Sequence, residues 1–307
     1  VGSINPNLFQ DQRYKLGSVT NADPVVRGLA MNHLVESVKL ASAAGSDVLS
    51  LWFADGTNYP GQGHLRERKR WLHEALAAAH AALPPGMTML VEYKPFEPAF
   101  YHTDIADWGM AASFARGAGP QAKVLVDTGH HLPGANIEHL VAFLVDEGLL
   151  GGFHFNDRKY ADDDLTMGSI DPYQLFRIFA EIVQAEREEG KDLPIAYMID
   201  QSHNIKPKIE AMIQTVCTAQ ELFAKAWMVD LPALTSAQQR TDLVGAEQVL
   251  RNAFFGDVRL VLTEWRRLRA REDDPLERRA INRVAATRDF LDCRFCPYAE
   301  RCWSLSQ

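Results

Sequence analysis

The residues most able to do chemistry fall in one stretch of the chain: Glu92 and Lys94, Asp127 and His130, His154 and Asn156, Asp162 and Asp164, and Asp200. Glu92 and Lys94 are two apart, so on a strand they face the same way. Asp127 ends the apolar run Val124-Leu125-Val126, and His130 follows it three residues on. His154 sits in Gly152-Phe153-His154-Phe155-Asn156-Asp157, and Asp200 closes Ala196-Tyr197-Met198-Ile199. Carboxylates with one or two imidazoles suit Mn²⁺ and also accept Co²⁺ or Mg²⁺. With no cysteine in the set, a structural zinc cluster is disfavoured. Brought together, Glu92, Asp127, Asp162, Asp164 and Asp200 would repel one another or take up protons. Two divalent cations and Lys94 would balance all five charges. Taken singly, a strand-end acid is more often a helix cap, and Asp162–Asp164 alone would be a solvated loop. The common placement of these residues outweighs that reading.

That placement depends on the elements that carry them. Short apolar runs at Ile4–Phe9, Val48–Phe53, Met87–Lys94, Lys123–Asp127, Gly152–Asn156 and Ile195–Asp200 read as strands. They are nearly continuous in hydrophobicity, as in parallel sheets covered on both faces. Helical patterns alternate with them, the signature of a parallel α/β fold. Asp23-Pro24 reads as a cap and first turn, with Gly45 as the stop. Further helices are expected at Leu65–Leu83, Asp104–Arg116, Ile137–Glu147 and Asp171–Glu189. In such folds ligands bind beyond the carboxyl ends of the strands, where the candidate residues stand. After Asp200 only helices are expected, at Lys206–Met228, Ser236–Phe255, Val258–Arg271 and Pro275–Leu291. The expected division is therefore 1–204, a partial barrel with the metal site, and 205–307, a helical extension with a cysteine-containing tail.

The whole chain has 307 residues, 47% of them hydrophobic, and a net charge of −8. That balance offers no electrostatic footprint for nucleic acid or an anionic membrane surface. No apolar run reaches the roughly 18 residues of a membrane span. Val1–Asn7 has neither the basic start nor the apolar stretch of a signal peptide, so a cytoplasmic protein is expected. The lack of an initiator Met leaves room for a start further upstream. Four cysteines are few for this length and argue against a disulfide framework. Cys217 reads as a buried thiol. Cys293, Cys296 and Cys302 cluster near the end, but a fourth metal ligand is not evident beside them.

The segments Val91-Glu92-Tyr93-Lys94-Pro95, Val126-Asp127-Thr128-Gly129-His130-His131 and Phe153-His154-Phe155-Asn156-Asp157, with Asp162-Asp163-Asp164-Leu165, resemble the L-rhamnose isomerase family. That family has the xylose isomerase-like (β/α)8 TIM barrel fold. The resemblance covers roughly residues 1–260 and looks like the bacterial branch of broad sugar specificity. It implies a structural metal on Glu92, Asp127, His154 and Asp200. It implies a catalytic metal served by His130, Asp162 and Asp164, with Asp127 bridging. Lys94, Asp162 and His130 would be catalytic, Lys94 touching the substrate oxygen at C1. Trp52, Lys94, Glu92, Asp127 and Asp200 would surround the sugar. The implied reaction converts an aldose to a ketose, L-rhamnose to L-rhamnulose among them, by a metal-assisted hydride shift between C1 and C2. The implied assembly is a homotetramer. No Gly-rich dinucleotide fingerprint follows any strand, as expected when substrate and product share an oxidation level.

A closed barrel needs eight βα units, and six are legible. The match begins near the family's third strand, so the first two units are expected to be absent. Ile4–Phe9 and Ile195–Asp200 should then be edge strands. Two other readings remain: a sugar epimerase of the same superfamily, or an incomplete metal-binding fragment without turnover. Epimerases of this type use paired glutamates around one metal, whereas here Asp200 ends the last strand and Val48–Phe53 ends without an acid.

Overall fold

The computed structural model of the protein describes residues 1–97, 101–202 and 205–269. Their contacts divide into two compact units, Val1–Asp163 with Gly190–Asp200, and Asp164–Glu189 with the described residues from Gln201 onward.

The first unit is α/β, and its centre is a parallel half-barrel sheet. Its elements in chain order begin with α1 (Pro24–Ala44), β1 (Val48–Leu51), α2 (Leu65–Ala81) and β2 (Thr88–Glu92). A hairpin of β3 (Phe96–Glu97) and β4 (Tyr101–His102) follows, then α3 (Trp108–Ala118), β5 (Ala122–Asp127), α4 (Ile137–Asp146) and β6 (Leu150–Phe155). The last strand is β7 (Ala196–Ile199). Five strands pair in the order β1-β2-β5-β6-β7, every ladder parallel. The interior strands β5 and β6 are almost wholly buried, which accounts for their unbroken apolar runs.

Local chemistry sets the helix ends. The Asp23 carboxylate accepts from Val25 N, Pro24 opens α1, and Gly45 ends it at φ 69°. Asn136 caps α4 through His139 N. On the sheet, α1 packs against β1, α3 against β2 and β5, and α4 against β6. Strand β6 carries two glycines, a residue type that strands disfavour. A Cβ at Gly151 would stand 2.4 Å from Lys123 Cβ and 2.5 Å from Leu90 Cδ2, so neighbouring strands already fill that space.

The expected strand Ile4–Phe9 is not formed. Only Ile4 joins the sheet, donating to Val48 O (3.1 Å) and accepting from Ser50 N (3.0 Å). Pro6 has no N–H for a ladder. The Asn7 carbonyl oxygen then accepts from Phe9 N and Gln10 N and turns the chain. Ile4 thus flanks the β1 edge, and β7 forms the other edge.

The second unit is helical: α5 (Pro172–Glu189), α6 (Lys208–Trp227), α7 (Leu231–Gln239), α8 (Leu243–Phe255) and α9 (Arg259–Leu268). Helix α5 packs on α6 and so groups with the C-terminal helices, across the expected boundary at 204/205. The single helix expected at Ser236–Phe255 is two. Thr241 takes φ 57°, and Asp242 starts α8 by accepting from Gly245 N. Cys217 is half-buried on α6. Pro275–Leu291 and Cys293, Cys296 and Cys302 lie outside the described residues.

Candidate metal centre

Adjacent parallel strands end at one rim, and their last residues converge there. Glu92 ends β2, Asp127 ends β5, His154 is the fifth residue of β6, and Asp200 follows β7. Asp127 stands in register with His154. Two groups of ligand atoms result: Glu92, Asp127, His154 and Asp200, and Asp127, His130 and Asp162. Within each group the atoms lie within 4.8 Å of one another, and Asp127 belongs to both. Asp200 is the open side of the first group, its side chain 60% exposed, whereas Asp127 is fully buried.

The individual contacts are close. His154 Nδ1 lies 3.3 Å from Glu92 Oε1 and 3.5 Å from Asp200 Oδ2. His130 Nε2 lies 3.3 Å from Asp162 Oδ1 and 3.9 Å from Asp127 Oδ2. His130 Nδ1 faces the Tyr93 carbonyl at 3.0 Å and Glu92 Oε1 at 3.2 Å. A bond to the carbonyl makes Nδ1 the donor and turns Nε2 towards the acids, the usual tautomer control for an imidazole ligand.

Electrostatics shows protons doing the work of cations. Burial pushes the Glu92 carboxyl up, but the imidazoles of His154 and His130 outweigh it and hold it at about 2. Burial lifts Asp127 to about 6 against the pull of His130. His154 is raised to about 9, burial being overcome by Glu92 first and then Asp127 and Asp200. His130 is raised well above its ordinary value, Asp127, Asp162 and Glu92 prevailing over burial. Asp162 is held well below the usual carboxylate range, where His130 and Lys94 outweigh burial. Two protonated imidazoles among four carboxylates is what a metal site does with its charge before ions displace the protons.

The donor set fits hard or borderline divalent ions: carboxylate oxygen and imidazole nitrogen, no sulfur. The fit rests on that chemistry and on the burial of Glu92, Asp127, His130 and His154 beside the half-buried Asp162.

Lys94 borders the second group. Its Nζ lies 2.7 Å from Asp162 Oδ2, pairs with Glu97, and sits 5.2 Å from the centre of the Trp52 ring. Burial disfavours the ammonium, but Asp162 and Glu97 keep its pKa above the ordinary value. Phe9 meets Trp52 edge to face at 4.7 Å. Asp164 is in neither ligand group. It belongs to the second unit, has φ 48°, and its carbonyl accepts from Ser202 N.

Sequence reasoning missed three residues. Glu97 is brought to Lys94 by the β3–β4 hairpin, and its only sequence signal was a spacing of three from that lysine. Asn156 was noted at a strand end without a role; its amide donates to Asp127. Asp55 follows β1, where no strand-end acid was expected. Its two oxygens accept from the backbone N–H and hydroxyl of both Ser18 and Thr20 at 2.7–2.8 Å, and it is buried. Those four bonds give it a structural task, fastening residues 18–20 to the rim.

Comparison with known proteins agrees with this architecture. No family model matches the chain. It is similar to a probable sugar isomerase of Rhizobium meliloti (strain 1021), 42% identical over 266 residues, 85% of this chain and 62% of that protein. A probable sugar isomerase of Mesorhizobium japonicum matches with the same identity and coverage. A xylose isomerase of Thermus thermophilus is 30% identical over 190 residues, 55% of this chain and 46% of that enzyme. The chain spans about three fifths of the length of the first two relatives. Among solved structures, a protein of Sinorhizobium meliloti 1021 superposes with a TM-score of 0.50 at 18% identity, covering 66% of this chain and 74% of that one, a likeness of fold. No helix among the described residues is long and apolar enough to cross a membrane.

Proposed function

We propose that the protein is a metal-dependent aldose–ketose isomerase of the L-rhamnose isomerase type, converting L-rhamnose to L-rhamnulose and acting on related sugars. The observation that carries this reading is the sharing of Asp127 between two ligand groups, with Lys94 against the second. Similarity to proteins named sugar isomerases supports it.

Glu92, Asp127, His154 and Asp200 would hold one divalent ion, and Asp127, His130 and Asp162 the other. Bound there, Mn²⁺ (or Co²⁺ or Mg²⁺) would polarise the sugar carbonyl and lower the pKa of the adjoining hydroxyl. Lys94 stabilises negative charge developing on O1. Asp162, beside both Lys94 and His130, would hold the Lys94 ammonium towards O1, and the proton that O2 gives up to solvent would be made up at O1 from that ammonium. Trp52 gives the sugar an apolar wall. Hydrogen then passes as hydride between C2 and C1 of the open-chain sugar. In this reading residues 1–204 supply the site, and the helices from 205 onward supply subunit contacts of a cytoplasmic homotetramer.

The test is turnover of L-rhamnose deuterated at C2 by the Mn²⁺-loaded protein. L-Rhamnulose with the label kept at C1 is expected. Label lost to solvent would replace the hydride shift by an enediol path. Ketose epimerisation at C3 without aldose formation, or no turnover of any sugar by metal-loaded protein, would overturn the isomerase reading.

A further inference from the structure

One amide links the ligand residue common to both groups with the end of the last strand. Asn156 Nδ2 lies 2.9 Å from Asp127 Oδ1, 3.2 Å from Asp127 Oδ2 and 3.0 Å from the Asp200 carbonyl oxygen. Its two hydrogens therefore divide between a carboxylate from β5 and the backbone after β7. Gly129 N adds a further bond to Asp127 Oδ1 at 2.7 Å. The Asn156 backbone is fixed independently by Thr128 Oγ1, which donates to Asn156 O (2.8 Å) and accepts from Asn156 N (3.0 Å).

The other end of the amide is unpaired. Asn156 Oδ1 is buried and has no hydrogen-bond partner among the described residues, and the residue is 4% exposed. A buried acceptor left unsatisfied is destabilising. Rotating the amide would not relieve it, because the oxygen would then face a carboxylate and a carbonyl. An apolar side chain would spare this oxygen but take the donor from the buried Asp127 carboxylate and the Asp200 carbonyl. The amide is retained at that cost for its N–H groups, which aim at Asp127. The close fit of Gly129 points the same way. A Cβ there would stand 2.5 Å from Asn156 Oδ1 and 3.2 Å from Asp127 Oδ1.

We infer that Asn156, seated against Gly129, is a positioning residue that fixes the rotation of the Asp127 carboxylate, the ligand residue common to both groups. This rests on the two-metal reading above. Glu92, His154 and Asp162 can each approach an ion without Asn156, but only Asp127 must satisfy two ions at once. Its angle therefore decides whether a pair forms. Loss of such an outer partner typically weakens metal binding by roughly 10- to 100-fold.

The test compares wild type, Asn156→Leu and Gly129→Ala for Mn²⁺ stoichiometry and for the electron paramagnetic resonance spectrum of the bound Mn²⁺. Leu keeps the branched shape and the Thr128 backbone bonds but has no donor. Ala at 129 keeps Asn156 but pushes its amide aside, so either variant alone is decisive if the other does not fold. Wild type is expected to bind two ions and give the spectrum of a coupled pair. Each folded variant should bind one ion with an uncoupled spectrum, the second ion weakened 10-fold or more. A coupled pair of wild-type affinity in a folded variant overturns the role of Asn156 and leaves the site standing. A wild type that never forms a pair overturns the two-metal reading and this inference with it.

Discussion

His154 Nδ1 stands 3.3 Å from Glu92 Oε1, both side chains almost completely buried, so the imidazolium is the first cation of the metal-free site. Its pKa rises from 6.5 to about 9. A group raised on folding stabilises the fold fully below its unfolded value and loses that contribution as pH rises through the folded one. His154 alone should therefore cost metal-stripped protein on the order of 3 kcal/mol between pH 6.5 and 9, and His130, also raised, adds a loss of the same sign. Glu92, held at about 2, has the opposite sign and acts only in acid, well below this window. Asp127, raised to about 6, loses its contribution below this window too. Mn²⁺ competes with the same protons, so its stabilising effect should grow with pH across the window. Melting temperatures with EDTA and with Mn²⁺, measured from pH 6 to 9.5, check this. Parallel curves would contradict it.

Asp127→Asn probes the shared ligand directly. The amide keeps the shape but loses the charge and one acceptor, so most of the Mn²⁺-induced rise in melting temperature should vanish. With metal removed, the variant should be as stable as wild type or more so, since a carboxylate that burial lifts to about 6 is gone. An equal metal-induced rise in variant and wild type would exclude Asp127 as a ligand.

Lys94 makes a different demand. Its ammonium is shared by Asp162 at 2.7 Å and by Glu97. Should Asp162 turn to a metal ion, Glu97 still holds the lysine in place. Lys94→Met is therefore expected to lower turnover by 100-fold or more, on the scale of removing one charge-stabilising donor, about 2.7–4 kcal/mol. Both metal ions should remain bound. Loss of an ion in this variant, by metal analysis of the desalted protein, would make Lys94 a structural counter-charge.

The rim was legible in the sequence because the expected strands Met87–Lys94, Lys123–Asp127, Gly152–Asn156 and Ile195–Asp200 are nearly continuous apolar runs with polar residues at or near the carboxyl end. Glu92, Asp127, His154 and Asp200 could be placed from that pattern alone. What failed was whatever depends on partners distant in sequence. Ile4–Phe9 has the composition of a strand, but Pro6 and the Asn7 turn limit it to one bridge. Asp55 is set by residues 18 and 20, and no local period announces that contact. The break between α7 and α8 shows in sequence only as Thr241-Asp242, a cap inside an otherwise periodic run. The β3–β4 hairpin, two residues a side, is too short for alternation to register.

That hairpin carries the last prediction. Gly56 forms an antiparallel bridge with Thr103, and Thr57 N donates to His102 O at 2.9 Å. The Tyr101 hydroxyl reaches back to Ala54 O at 2.6 Å. A Cβ on Gly56 would stand 2.3 Å from His102 O and 2.5 Å from Tyr101 Cδ2. The nearer obstacle is backbone and cannot rotate away, so β4 itself must move. Strand β4 pairs with β3, and β3 ends in Glu97, the second partner of Lys94. Gly56→Ala should thus cost roughly 1–3 kcal/mol, as overpacking does. It should also speed amide exchange at Thr57. Turnover should fall through the loosened Lys94, while the Mn²⁺ stoichiometry stays at the wild-type value, because no ligand lies on the hairpin. Unchanged exchange at Thr57 would mean that the hairpin accommodates the methyl group, and the link from Gly56 to Lys94 would fall.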